Sequence, residues 1–382
     1  FETFKEGIDY AHARGNKVYA TINGFPFNSQ IELLKKHIAT MAALEPDAFI
    51  VAAPGVVKLC REIAPQIDIH LSTQANVLNY LDAQVFWDMG VKRIVVAREI
   101  SLKDVVEIKK HLPDMEIEIF VHGSMCFAYS GRCLVSAVQM GRVPNRGSCA
   151  NDCRFEYTLY AANEDHSTLF RLEEEPGVGT YIFNSKDMNL ASHIKEILDS
   201  GAVDSLKIEG RTKSPYYAAV TAKAYRNAID DYYDGKFEAD KYQRELYTTK
   251  NRGFTDAYLI HRPFEKTDSQ NHDYALSKGS YEVTGLVTQD EEHFLCKYKV
   301  YPNEDVEIFT PMGEELVECE NEIGKIFKKD GIYYINFKKI LTETNKELES
   351  VHSGNVNKIK LPGKLPYLTM FRIENIDGTI VE

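Results

Sequence analysis

Cys126, Cys133, Cys149 and Cys153 lie together in the segment CFAYSGRCLVSAVQMGRVPNRGSCANDC, spaced C-x6-C-x15-C-x3-C, in a chain with 7 cysteines in all. Four thiolates gathered at one place repel each other and are costly to desolvate, and a bound metal centre removes that cost by neutralising them. Structural zinc draws paired knuckles, because a tight turn must place two sulfurs on one ion. Only Cys149 and Cys153 are close enough for that, and no histidine at knuckle spacing completes a Cys/His set. A cluster of several irons tolerates wider spacing, since each thiolate reaches a different iron. The spacing therefore favours iron–sulfur ligation and leaves zinc open, with two disulfides or scattered core thiols as the bland alternative. An odd cysteine count without a secretory leader pattern speaks against a disulfide framework. Arg132, Arg142, Arg146 and Arg154 flank the thiols, where they would offset the charge of a thiolate-ligated cluster.

The elements that must position this segment read as α/β. Short β-rich runs at 17–22, 48–52, 69–73, 93–97, 116–121 and 205–208 alternate with amphipathic helical stretches. The runs are mostly apolar, as expected of parallel strands covered on both faces. Ser29 to Glu32 and Ser101 to Asp104 have the form of helix N-terminal caps. Repeated βα units imply a parallel sheet. We expect a (β/α)8 TIM-type barrel of which six strands are visible. The chain starts abruptly inside a helical pattern, so the first two strands are expected upstream of it. The barrel is expected over 1–235, with the cysteine-rich insertion at 123–154 and an inserted hairpin at 155–184 carrying an acidic loop at 173–175. A helical and polar connector at 236–280 leads to a small all-β domain over 281–382, where alternation brackets an Asp330-Gly331 turn.

On a parallel barrel the chemistry sits at the strand C-terminal ends. Asn23, Ser72, Thr73, Gln74, Asn76, Arg98, Glu99, His122, Lys207, Glu209 and Arg211 all fall there, and the cysteine segment leaves the sheet at the same face.

The charge of −12 argues against non-specific nucleic-acid binding, though not against a local basic face. No run approaches a membrane-spanning length of apolar residues. A cytoplasmic protein with no membrane partner is expected.

Several longer stretches carry a resemblance: EIFVHGSMC-(x4)-GRCLVS (118–136), HLSTQAN (70–76), RIVVAREIS (93–101), NRGSCANDCRF (145–155), FNSKDM (183–188) and SLKIEGRTKSPYY (205–217). With these the chain resembles peptidase family U32, the collagenase-like proteases, over nearly its whole length. The peptidase label finds little here, since no H-E-x-x-H, G-x-S-x-G or Ser/His/Asp order is present. His122 lies four residues before Cys126, but a cluster ligand is not also a nucleophile. The resemblance extends to members that are oxygen-independent hydroxylases binding a 4Fe-4S cluster through a cysteine quartet. In the branch most similar to this chain, the wobble uridine of tRNA is hydroxylated with prephenate as co-substrate. It implies Cys126, Cys133, Cys149 and Cys153 as ligands, tRNA as a partner and a possible protein partner for electron delivery or assembly. A peptidase, or an accessory protein with a structural metal site, are the alternatives.

Oxidising a pyrimidine carbon needs a redox cofactor, because acid–base side chains supply no electrons. The basic groups would then hold the dicarboxylate. Arg98, Lys207 and Arg211 are the candidates for that, and Glu209 or His122 for moving protons. An RNA-facing rim would draw on Arg142, Arg146, Lys186, Arg211, Lys213, Lys250 and Arg252, with Tyr216 or Tyr217 stacking on a base.

Overall fold

The computed structural model describes residues 1–375 apart from 127, 156, 163–168, 173–183, 212, 261–268 and 272–278. The chain divides into two compact units, one of Phe1–Glu209 with Arg252–Leu276 and the other of Gly210–Asn251 with Ser277–Glu382. The boundary expected at 235 thus falls earlier. Helix 215–233 joins the β-rich unit because Tyr216 and Val220 bury themselves against Phe309 and Met370.

The first unit contains α1 (Glu2–His12), β1 (Tyr19–Ile22), α2 (Ile31–Ala42), β2 (Ala48–Val51), α3 (Pro54–Ile63), β3 (Asp68–Leu71), α4 (Tyr80–Asp88), β4 (Arg93–Val95), α5 (Leu102–His111) and β5 (Glu116–Ser124). After these come α6 (Val135–Met140), β6 (Leu159–Ala162), β7 (Leu169–Leu172), β8 (Asp187–Asn189), α7 (Ile194–Asp199), β9 (Ser205–Ile208) and β10 (Phe254–Thr255). Strands β1, β2, β3, β4, β5 and β9 pair in that order, all parallel. These are the six expected strands. Among the described residues β1 and β9 do not pair with each other, so the sheet is open. Strand β5 outruns its neighbours. Its last residues, His122 to Ser124, pair antiparallel with β8, and β10 lies parallel to β8.

One face of the sheet is apolar, with Phe49, Val51, Ile69, Leu71, Ile94, Ile117 and Ile119 buried. The other face departs from the expectation of strands apolar on both sides. Register places Thr21, Ile50, His70, Arg93 and Glu116 in one row across five strands, and Val95, Glu118 and Ser205 in the next. Because side chains alternate along a strand, the short apolar runs hide a charged face.

The cap at Ser101 forms, its Oγ accepting from Asp104 N at 3.2 Å. The one expected at Ser29–Glu32 does not. A turn of 3-10 helix over Asn28–Gln30 precedes α2, and Gln30 Oε1 accepts from Phe27 N at 3.0 Å. Strands β6 and β7 form the expected hairpin, Leu159 opposite Leu172; the acidic loop at 173–175 lies outside the described residues.

The second unit begins with α8 (Pro215–Tyr233), whose N-cap Ser214 accepts from Tyr217 N at 3.2 Å, and α9 (Ala239–Tyr247). An antiparallel sheet follows, built on a core that includes Phe294, Phe337 and Phe371. Gly324–Lys329 pairs with Ile332–Phe337 around Asp330 and Gly331, whose φ angles of 51° and 83° are those of the tight hairpin turn read from the sequence. Arg372 is buried in this unit, its Nε donating to Glu307 Oε1 at 2.9 Å and its Nη1 to Tyr216 Oη at 2.9 Å. No helix among the described residues is long and apolar enough to cross a membrane.

Candidate metal centre

The cysteine segment is aimed by the long strand β5. At its end Gly123 has φ 127°, and a Cβ there would lie 2.8 Å from both Cβ and O of Glu209. Only glycine lets the chain pass that close, so Gly123 fixes the cysteines against the end of β9. Glu209 N in turn donates to His122 O at 2.9 Å. Gly131, with φ 74°, crosses Gln74, which follows β3, with 3.0 Å between its would-be Cβ and that of Gln74. Arg98, just past β4, donates to Ser130 Oγ at 3.4 Å and stacks its guanidinium 3.7 Å from the Phe120 ring centroid. The segment therefore drapes over the C-terminal ends of the central strands.

All seven cysteines are free thiols. Cys126 is accessible to solvent, while Cys133, Cys149 and Cys153 are half-buried. Surrounding protein raises the Cys126 pKa by desolvation, with Cys149 and Cys133 adding to the rise while Arg98 and Arg154 oppose it. Desolvation also raises the Cys153 pKa, Arg154 opposing and Cys126, Cys149 and Cys133 reinforcing. The four thiols thus share one electrostatic neighbourhood with two cations. Arg154 is held low by its own burial and by Arg252, against the pull of Asp187, Cys153 and Cys126.

Backbone geometry readies the second pair of thiols. Asn151 takes a left-handed conformation, φ 64°, and its N–H points to Cys149 Sγ at 3.4 Å. Ser136 Oγ lies 3.8 Å from the same sulfur and accepts from Ala150 N at 3.1 Å. Hydrogen bonds to ligand sulfur are among the means by which a protein sets the potential of an iron–sulfur cluster. Among the described residues, no three His, Cys, Asp or Glu side chains converge as ligands of one metal ion. The donor set is four thiols that share two cations, with an N–H···S contact at Cys149, which is the chemistry of a thiolate-ligated metal centre.

The remaining expected site residues separate into groups. Arg98 faces Cys126. Lys207 is committed, its Nζ bonded to Glu118 Oε1 at 2.8 Å. Glu118 also accepts from Ser205 Oγ at 2.9 Å and Arg93 Nη1 at 3.2 Å. Its pKa is lowered: burial opposes the charge, but Lys207, Ser205 and Arg93 together outweigh it. His122 is buried within the β5–β8 ladder beside Phe254, ring centroids 5.4 Å apart. Glu209 is half-buried under Gly123, and Arg211 is exposed and belongs to the second unit. Of the flanking arginines, Arg132 and Arg142 are exposed, and the side chain of Arg146 lies outside the described residues.

Three residues expected at an RNA-facing rim, Arg252, Tyr216 and Tyr217, are instead interior. Arg252 is buried and ion-paired with Asp187. Tyr216 is buried with its hydroxyl donating to Thr248 Oγ1 at 2.9 Å, so its ring cannot stack on a base. What the sequence reading missed is the Arg93–Glu116–Glu118–Lys207 network with His70 beside it. The alternating E-I-E-I of β5 was its only signal.

An α/β sheet whose strand ends carry a four-thiol, arginine-flanked insertion defines the class to which comparison can be made. The model of peptidase family U32 matches residues 1–269, and the chain belongs to that family. It is 61% identical over 373 residues to tRNA hydroxylation protein P of Helicobacter pylori (strain ATCC 700392 / 26695), spanning 98% of this chain and 88% of that protein. It is 37% identical over 369 residues to tRNA hydroxylation protein P of Escherichia coli (strain K12), spanning 85% of this chain and 81% of that protein. A solved U32 peptidase structure aligns with TM-score 0.34 and 18% identity, over 55% of this chain and 76% of that one.

Proposed function

We propose that this protein hydroxylates tRNA, with the wobble uridine as target and an iron–sulfur cluster held by Cys126, Cys133, Cys149 and Cys153. The observation that carries the reading is the gathering of four thiols with Arg98 and Arg154 at the strand ends. The high identity to tRNA hydroxylation proteins supports tRNA as the substrate class. The six parallel strands alternating with helices support reading them as an arc of a (β/α)8 barrel, whose strand ends are the usual seat of catalysis.

When bound, the cluster supplies the electron transfer that ring hydroxylation requires and that no side chain provides. The chain's own residues do the rest. Arg98 and Arg154 hold the thiolates' charge and bias the site toward anions. Arg98 also has the planar fork suited to one carboxylate of a small dicarboxylate such as prephenate, whereas Lys207 is already held by Glu118. Glu209, hinged at the Gly123 crossing, is placed to move a proton at that edge of the site.

Anaerobic purification tests the cofactor. Iron and acid-labile sulfide should accompany the unmodified chain with broad visible absorption, and both should be lost from Cys133→Ser. A colourless protein with stoichiometric zinc would rule the cluster out.

A further inference from the structure

The second unit contains a cavity of about 610 Å³ at the start of α8, within the range of small-ligand sites. Its interior is apolar and aromatic, with Tyr217, Tyr281, Leu286 and Met370 among its walls. Lys213, Lys250 and Lys297 line it as well, the last two exposed at its solvent edge, against a single carboxylate, Glu282. In a chain of net charge −12, three lysines around one cavity stand against the general field.

Lys250 and Lys297 are available to a ligand. Lys250 pairs with Glu282 at 3.2 Å, but the lysine is 58% exposed, and such surface pairs hold weakly. Lys297 makes no ion pair among the described residues. A ligand that satisfies both parts needs a flat, apolar-faced ring for the interior and negative charge at the edge. No arginine lines the cavity, so a carboxylate would lack the bidentate partner it usually finds. A nucleotide meets both demands: its base has a π-face, and its phosphate stays at the edge. Stacking of this kind is tolerant of base identity.

We infer that this cavity receives one unstacked nucleotide of an RNA strand, its base against Tyr281 and Leu286 and its phosphates on Lys250 and Lys297. The inference rests on RNA being the substrate, and it deepens that reading by giving the second unit the work of gripping the strand. The metal centre belongs to the first unit, so loss of this grip leaves cluster content unchanged.

The test uses the full chain, with K250E and K297E, both at exposed side chains, and circular dichroism to confirm folding. Anisotropy of labelled tRNA is followed across a salt series. Each variant should bind about tenfold more weakly, and the slope of log K against log salt should shrink by about 0.7 to 0.9 for each phosphate contact removed. Photocrosslinking with thiouridine-substituted tRNA should label the strand beginning at Tyr281. If the unmodified chain binds and modifies tRNA while both variants keep its affinity and slope, the inference falls and the proposed function stands. If the unmodified chain binds neither tRNA nor a short oligouridylate, both fall. Lysine-dependent binding of uridine monophosphate that tRNA does not compete away would reassign the cavity to a free nucleotide and overturn the inference.

Discussion

His70 offers a sharp physical test of the charged inner face. Its ring is buried, 4.6 Å from the Tyr19 ring centroid and opposite Arg93 in the sheet. Burial, and then Arg93, push its pKa from the ordinary 6.5 down to about 4, with Glu118, Glu116 and Asp68 pulling weakly the other way. The folded chain therefore keeps His70 neutral where the unfolded chain protonates it. Its contribution to stability is fully present above about pH 6.5 and is lost progressively as pH falls toward 4, below which nothing further is lost. At about 1.4 kcal/mol per pKa unit, the loss across that window is about 3 kcal/mol. Urea unfolding reports it if the probe is confined to the first unit, and the chain's single tryptophan, Trp87 in α4, is such a probe. His70→Gln should cost about 1–2 kcal/mol near neutrality through lost packing. It should also flatten the pH dependence, so that the gap between variant and unmodified protein closes or reverses at about pH 4. The carboxylates and the other histidines titrate in both chains and cancel in the difference. Parallel pH profiles for the two chains would refute a neutral, buried His70.

Two further perturbations probe how the site is positioned. Glu118→Gln and Lys207→Met should be strongly non-additive, with a coupling of about 1–3 kcal/mol in a double-mutant cycle read by Trp87 fluorescence; additivity within about 0.5 kcal/mol would mean that Lys207 is free to serve as a ligand. Gly123→Ala forces a Cβ onto Glu209 in a backbone conformation with φ 127°, and a loss of at least about 2 kcal/mol with reduced iron retention is expected. A variant of unchanged stability that holds iron normally would show that the crossing is not tight.

All six parallel strands were legible, because β-branched runs separated by amphipathic helices leave a strong local signal. Strands β8 and β10, of three and two residues, left none. They exist only because β5 extends past its neighbours to meet β8. The polar inner face was half-visible, since Arg93, Glu116 and Glu118 are plain in the sequence but only register aligns them. The unit boundary was misread because α8 is amphipathic by itself, and its partners Phe309 and Met370 lie far along the chain. In the site, cysteine spacing was enough to nominate four residues. The cations were harder. Arg132 and Arg142, inside the cysteine segment, face solvent, whereas Arg98, 28 residues before Cys126, acts on its charge from just past β4. Tyr216 and Arg252 show the reverse error, polar groups taken for surface that the fold buries with Thr248 and Asp187.

The proposed work of the cysteine quartet is tRNA hydroxylation. It is tested most directly by mass spectrometry of tRNA nucleosides from a strain lacking this protein and any redundant paralogue, complemented with either the unmodified chain or Cys133→Ser. Hydroxyuridine-derived nucleosides should return with the unmodified chain and stay absent with Cys133→Ser, although the variant accumulates to the same level. Full restoration by Cys133→Ser, or no change in these nucleosides when the protein is absent, would contradict it.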